Sequence, residues 1–377
     1  MKAVISAYAR SPFHFAKKGA LAAVRPDTLA AQVVRGLLAR TDLDPALLED
    51  VILGCAYPEA AQGNNLARIV GLLAGLPQQV GGMTVNRFCG SSMQAVHIAA
   101  AQIEAGMGEA FLCVGVESMT MVPQGGFNFS PNPQLLEHSD AYLSMGETAE
   151  NVAQRWNVSR GDQEALAVAS HRKAAAARAE GRLRDEIVTI DADDGTRISE
   201  DGCIRPSTSL EALAALKPAF RADGVVTAGT SSPLTDGAAA VLVTSDDFAQ
   251  KHGLQPLARV VSFATVGVDP AVMGIGPIPA TQKALARAGL TVNDLDVVEI
   301  NEAFASQALA CIRELGLDME RLNLDGGGMA IGHPLGATGA RITGKAASLL
   351  AREKGRYALA TQCIGGGQGI ATLLERV

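Results

Sequence analysis

Three observations predict an α/β fold built from two related halves. Short apolar strands alternate with amphipathic helices in the same order at both ends of the chain. Two pairs of segments echo one another: LDPALLEDVILG (43–54) with LTVNDLDVVEIN (290–301), and VNRFCGSS (85–92) with LNLDGGG (322–328). Between the halves, residues 119–234 break the rhythm, beginning with the turn-rich PQGGFNFSPNPQ, and read as an inserted subdomain. Buried apolar strands need helices on both faces, so the halves should form α and β layers.

The first half opens with a strand and a loop. A helix follows at about 28–40, where Leu29, Val33, Val34, Leu37 and Leu38 share one face. Val51–Gly54 is a short buried strand and 65–73 a helix; Val80–Phe88 is extended and runs into Cys89-Gly90-Ser91-Ser92. A helix over 91–105 places Met93, Val96, Ile98 and Ile103 inward, and a strand at 110–116 ends this half. The insertion carries helices at 146–155, 161–180 and 209–216. In the last third, Val260–Ala264 is a strand, 279–288 a helix and Asp296–Ile300 a strand. Leu322–Leu324 enters a Gly-rich turn, a helix covers 337–350, and Tyr357–Ile364 is the closing strand. The predicted organisation is an N-terminal half of 1–118 plus 235–252, an insertion at 119–234, and a C-terminal half at 253–377.

With 377 residues, 48% of them hydrophobic, the chain can bury a large core without disulfides or structural metal. Aromatics are scarce at 4% while glycines number 40, which favours close backbone packing over bulky filling. A net charge of −7 gives nucleic-acid binding no general support, so an anionic ligand would need a local basic patch. The opening MKAVISAYAR is too short for a signal peptide, and no stretch reaches the roughly 18 apolar residues of a membrane span. A cytoplasmic protein is the expectation. The six cysteines form no CxxC pair or zinc-finger spacing, and no metal site is expected. Cys55, Cys113 and Cys311 sit in apolar runs and read as small core residues.

Three positions can carry chemistry. Cys89 lies between a buried strand and a helix start, where unpaired N–H groups and the positive helix end favour thiolate; a buried structural cysteine is the other reading. His333 sits in GGGMAIGHPLGATG, a bent, Gly-crowded loop that suits presentation of a base better than core packing. Cys363 ends an apolar strand before GGGQG, as an acid or base beside glycine N–H groups or as another small buried residue. GGGQG lacks the Lys-Ser/Thr of a phosphate loop and the helix of a dinucleotide fingerprint. Asn301 and Glu302 follow the strand DVVEI; Asn301 can cap the next helix or hold a water.

Together, NRFCGSS, MGETAENVA, GTSSPLTDGAAA, NEAF, GHPLGATGAR and CIGGGQG resemble the thiolase family, most closely its degradative 3-ketoacyl-CoA branch, and they span nearly the whole chain. The resemblance implies two similar five-stranded mixed sheets in an α-β-α-β-α arrangement, with a loop subdomain over the site that takes up coenzyme A. It implies Cys89 as the acylated nucleophile, His333 as its base and Cys363 as the second acid/base. It further implies Asn301 holding a water in one oxyanion hole with His333, and the N–H groups of Cys89 and Gly365 as the other. Coenzyme A is implied as substrate and product, with no tightly bound cofactor, contacted by Arg205, Ser232 and Ala228, with Met145 and Phe304 near the acyl end. Arg205, Lys217 and Arg221 are also the nearest thing to a local basic patch. Implied partners are 3-ketoacyl-CoA, acetyl-CoA, a homodimer or tetramer of dimers, and an enoyl-CoA hydratase/3-hydroxyacyl-CoA dehydrogenase; nucleic acid and membrane insertion are not.

Two departures bear on the branch. Biosynthetic acetoacetyl-CoA thiolases carry a His- and Lys-rich segment and a His before Met-Gly, where this chain has Ser144 before Met145-Gly146. Asp325 stands where the family usually has Asn, and a carboxylate cannot replace an amide's donors without new partners. A ketoacyl synthase would pair its Cys with two His, or a His and an Asn, and lack Cys363. A noncatalytic acyl-CoA-binding protein on this fold would be expected to have lost one of the three reactive residues.

Overall fold

The computed structural model describes all residues from Met1 to Val377. Strands Ala3–Arg10, Asp50–Gly54, Gly81–Val85, Ala110–Ser118 and Thr235–Ser245 form the sheet of the first half. Numbered along the chain, they lie side by side in the order first, fifth, fourth, second, third. Ala258–Gly267, Val297–Ile300, Tyr357–Ile364 and Gln368–Glu375 repeat this order, with the third position reduced to one parallel bridge between Val298 and Leu322. Pairing within each half is mixed: the second and fourth strands run parallel, and the fifth is antiparallel to the first and fourth. The halves join where Val4 and Ile5 pair with Arg259 and Ala258.

The sequence echoes have a structural basis. Pro45–Leu47 and Val292–Asp294 are single 3-10 turns that deliver the chain into the second strand of each half. Two strands were not anticipated. Thr235–Ser245 is alanine-rich and buried along its whole length, so it shows none of the alternation that marks a half-exposed strand. Tyr357–Ile364 is not the closing strand, because Gln368–Glu375 folds back beside it through a turn in which Gly366 and Gly367 have φ of +78° and +84°. Only glycine adopts such a turn cheaply, so the triplet makes a hairpin as well as bordering the site.

Two helices fill the middle layer. Ser91–Glu104 and Leu335–Glu353 pack against each other and against strands of both halves, and Leu335–Ala347 is buried throughout. Ser92 Oγ accepts from the Ala340 N–H at 2.8 Å, a bond between the helix after Cys89 and the helix after His333. On the outer face, Pro26–Leu38 buries Leu29, Val33, Val34 and Leu37, each contributing about 1.5–3 kcal/mol. Propensity differences of about 0.7 kcal/mol per residue or less are small beside this, so packing holds the helix.

The segment 119–234 is fastened by buried ions. Arg10, fully buried on the first strand, donates through Nη1 and Nη2 to Asp201 at 2.7 and 2.8 Å, and through Nε to Glu186 at 2.8 Å. Glu186 also pairs with Lys345, which reaches Asp325 at 2.7 Å. Asp325 is met by Arg182 as well, and by Arg352 at 2.6 Å. Burial alone would raise the Asp325 carboxyl, but Arg352 and Lys345 together hold it below the usual carboxylate range. The unusual aspartate therefore has the cationic partners an asparagine would not need.

Candidate active site

Cys89 sits in the 3-10 turn Phe88–Gly90 at the head of the Ser91–Glu104 helix. The turn is sharp: Phe88 has a φ of +43°, Ser91 Oγ donates to the Phe88 carbonyl at 2.6 Å, and the Arg87 N–H donates back to Ser91 Oγ at 2.9 Å. The thiol is half-buried against Ala56, Tyr57, Met119 and Leu335. Burial pushes it up to about 11; the N–H groups of Gly365 and of Cys89 itself oppose this rise, and Glu117 adds to it. The thiolate-favouring helix start expected from sequence is thus outweighed in the resting protein, because removing the sulfur from water costs more than the N–H donors return. Activation must come from a base.

His333 lies in the loop ahead of the Leu335–Glu353 helix and is 4% exposed. Its N–H donates to Thr235 Oγ1 at 3.1 Å. Nδ1 lies 2.6 Å from Thr338 Oγ1, which is 3.2 Å from the Pro334 carbonyl. A carbonyl only accepts, so Thr338 gives it the hydroxyl proton and takes the imidazole's; the network assigns the proton to Nδ1 and leaves Nε2 an unprotonated acceptor. The Asn301 amide nitrogen lies 3.3 Å from Nε2, while Asn301 Oδ1 is buried without a partner. Burial, reinforced by Arg341, takes the imidazole down to about 3. Histidine-15N NMR should therefore show this residue neutral, with its proton on Nδ1, from pH 8 down to pH 5; titration within that window would contradict the assignment.

Cys363 ends the Tyr357–Ile364 strand, paired with Gly369 across the hairpin and 1% exposed. Burial first, then Cys89 and Cys311, raise it well above the ordinary thiol range. It packs with Ala303, Phe304 and Met145, and Met145 Sδ lies 3.4 Å from where a Cβ on Gly365 would stand. Gln362, one residue earlier, donates its side-chain amide to the Cys89 carbonyl. The structure thus brings Cys89, Cys363, Gly365, Met145 and Phe304 to one place. His333 stands two residues before Leu335, which opens the Leu335–Glu353 helix and belongs to the small cluster against which Cys89 packs.

The segment 119–234 reaches this place directly. Ser232 N–H donates to the Ala303 carbonyl at 2.9 Å, and Ser231 bridges to Phe304. Ala228 is exposed beside it, in the short turn Ala228–Thr230. Arg205 is exposed, with its guanidinium stacked over the Phe15 ring at 4.9 Å and paired with no carboxylate. Lys217 is exposed as well. Arg221 departs from the basic patch read in the sequence: its guanidinium is taken by Glu147 and Asn151, each at 2.7 Å. Glu302 ties loops together, accepting from Ser170, Asn323 and the Met329 N–H.

Sequence reasoning missed Thr338, Thr235, Gln362 and Glu117. Thr338 falls on the first turn of the helix after His333, a spacing that brings a hydroxyl back toward the imidazole. Thr235 and Glu117 come from strands remote in sequence from the site residues they touch, and Gln362, though next to Cys363, acts on the distant Cys89 carbonyl; none left a local signal.

Comparison with known proteins finds similarity along the whole chain. The thiolase N-terminal domain matches residues 3–247, and the thiolase C-terminal domain matches 254–376. Proteins named 3-ketoacyl-CoA thiolase from Shewanella sp. strains MR-7 and MR-4 are each 50% identical over 388 aligned residues, covering 100% of both chains. The protein of that name from Shewanella oneidensis is 49% identical over the same span.

Proposed function

Because the chain belongs to the thiolase family, we propose that it is a 3-ketoacyl-CoA thiolase in which Cys89 carries the acyl group. The observation that carries this reading is the meeting of Cys89 with a second thiol, Cys363, and the Gly365 N–H, with a neutral imidazole two residues before Leu335 of the Cys89 cluster. Each has a role in thiolysis. His333 Nε2 takes the Cys89 proton as Sγ attacks the C3 carbonyl, and the N–H groups of Cys89 and Gly365 receive the oxygen's charge. When the C2–C3 bond breaks, its electrons pass to the acetyl-CoA enolate. A water held by Asn301 and the imidazolium of His333 stabilise the enolate oxygen, and Cys363 protonates C2. The Cys363 thiolate then takes the proton of an incoming coenzyme A thiol, whose sulfur attacks the acyl group. Cys89 leaves as thiolate and recovers its proton from His333. Run backwards, the same steps are a Claisen condensation.

Residues 119–234 serve as the coenzyme A-binding insertion between the halves 1–118 plus 235–252 and 253–377. Arg205 is the best-placed cation for a coenzyme A phosphate, because its guanidinium is free of internal carboxylates, with Ser232 and Ala228 along the pantetheine and Met145 and Phe304 toward the acyl group. Arg205→Ala should raise KM for coenzyme A by about three- to tenfold with kcat near wild type, the signature of lost ground-state binding; an unchanged KM would remove Arg205 from the phosphate site. The assay that tests the whole reading follows acetoacetyl-CoA and a longer 3-ketoacyl-CoA with free coenzyme A. Loss of neither substrate in the presence of folded protein would refute it.

A homodimer or tetramer of dimers is supported by the Gly81–Val85 strand, which is paired on one side only and lies near exposed Leu72, Leu73 and Phe88. All six cysteines are free, which fits a reducing cytoplasm, and no helix is long and apolar enough to cross a membrane. An enoyl-CoA hydratase/3-hydroxyacyl-CoA dehydrogenase is the partner whose product this site would consume.

A further inference from the structure

Glu117 ends the buried Ala110–Ser118 strand, is fully buried, and touches both sides of the site without belonging to any of its motifs. Its Oε2 accepts from the Ala56 N–H at 2.8 Å and the Gly336 N–H at 2.9 Å. Its Oε1 accepts from Gln62 Nε2 at 2.8 Å and the Tyr57 N–H at 3.3 Å, with Cys55 Sγ at 3.6 Å. Gln62 is itself fixed, because its Oε1 takes the Ser118 N–H at 2.5 Å. Ala56 and Tyr57 form the wall against Cys89. Gly336 opens the helix that follows His333, and the carboxylate sits so close that a Cβ there would lie 2.9 Å from Oε2.

We propose that Glu117 is a positioning residue for the reaction: one carboxylate, held by N–H donors and the Cys55 thiol, locks the wall behind Cys89 to the start of the helix that follows His333. No lysine or arginine pairs with it; burial raises its carboxyl above the usual range, and the Ala56, Gln62, Gly336 and Tyr57 donors oppose that rise and favour the charged form. That leaves its field directed at Cys89, where it disfavours the thiolate along with burial. The titratable groups around the pair are Cys55 and Tyr57 from the loop after Asp50–Gly54, Cys363 from the Tyr357–Ile364 strand, and His333, neutral at rest, from the loop ahead of the Leu335–Glu353 helix; none is a resting cation that would cancel the effect. The carboxylate therefore does two things at once. It sets the geometry between nucleophile and base, and it keeps Cys89 a thiol until His333 takes the proton. This inference rests on the roles proposed above for Cys89 and His333.

The test compares wild type, Glu117→Gln and Gln62→Met by three measurements: thiolysis of acetoacetyl-CoA with coenzyme A, the pH dependence of Cys89 alkylation by iodoacetamide, and peptide mass spectrometry of the wild-type acyl-enzyme. Glu117→Gln keeps the shape but removes the charge and one acceptor site. It should lower kcat by about a hundredfold with KM for coenzyme A little changed, the scale of a small misplacement of catalytic groups. It should also move the alkylation midpoint of Cys89 to lower pH. Gln62→Met removes a donor to the carboxylate and leaves its charge less compensated, so the midpoint should move to higher pH. Opposite shifts are not a consequence of general loosening, and Gln62→Met provides the test by itself if Glu117→Gln does not fold. A Glu117→Gln enzyme with the wild-type midpoint and kcat within threefold of wild type, or a Gln62→Met midpoint that stays put or falls, would overturn the inference. If the wild-type acyl group is absent from Cys89, the underlying reading fails instead, and the mass spectrum identifies that case.

Discussion

Cys89→Ala is expected to lower thiolysis of acetoacetyl-CoA by at least about 10⁴-fold, because removing a covalent nucleophile leaves only binding and the oxyanion donors. The fold should survive, since Cys89 is half-buried in a small cluster rather than in one of the large cores. An unchanged melting temperature beside lost turnover is the expected pair of results. In wild-type protein, labelled acyl substrate trapped by acid quench should appear on the Cys89 peptide. Label found only on the Cys363 peptide would exchange the roles of the two thiols. The burial that raises Cys89 to about 11 also predicts that iodoacetamide reacts slowly at neutral pH without substrate. A fast, pH-independent alkylation at pH 7 would mean the thiolate is already formed, and His333 would not be needed as its base.

The largest loss of stability is expected from Arg10→Met. Arg10 is fully buried and its fork is filled by Asp201 and Glu186. Glu186 keeps Lys345, but Asp201 is left buried with only the Phe13 N–H and no cation. Breaking a buried ionic pair by removing one partner costs about 3–5 kcal/mol, mostly from the stranded charge. The denaturation midpoint should fall accordingly. Adding Asp201→Asn to Arg10→Met should recover part of the loss, because it removes that charge. A single-variant loss below about 1 kcal/mol, or no recovery in the double variant, would show that water enters and solvates Asp201 instead. Proteolysis gives an independent view: Glu186 and Asp201 both lie in the segment 119–234, so its cleavage should accelerate before that of the rest of the chain.

By itself the sequence determined the alternating α/β halves, and it singled out an interrupting segment and the candidate residues Cys89, His333 and Cys363. Each left a local mark: apolar periodicity for the elements, Gly-crowded loops for His333 and Cys363, a strand-to-helix junction for Cys89. Thr235–Ser245 and Gln368–Glu375 left none, since a strand buried on both faces has no alternation and a glycine turn reads equally as a site loop. The tertiary structure alone decided protonation and partnership. A helix start suggests a thiolate, but Cys89 is a thiol at rest because desolvation depends on what surrounds it, and those neighbours come from four separate stretches of chain. Likewise Arg221 looks like a free cation until Glu147 and Asn151 occupy it, and Asp325 looks like a defect until Lys345 and Arg352 surround it. Local pattern records what a residue can do, whereas charge state depends on solvent exclusion and on contacts across the fold, which no short window of sequence contains.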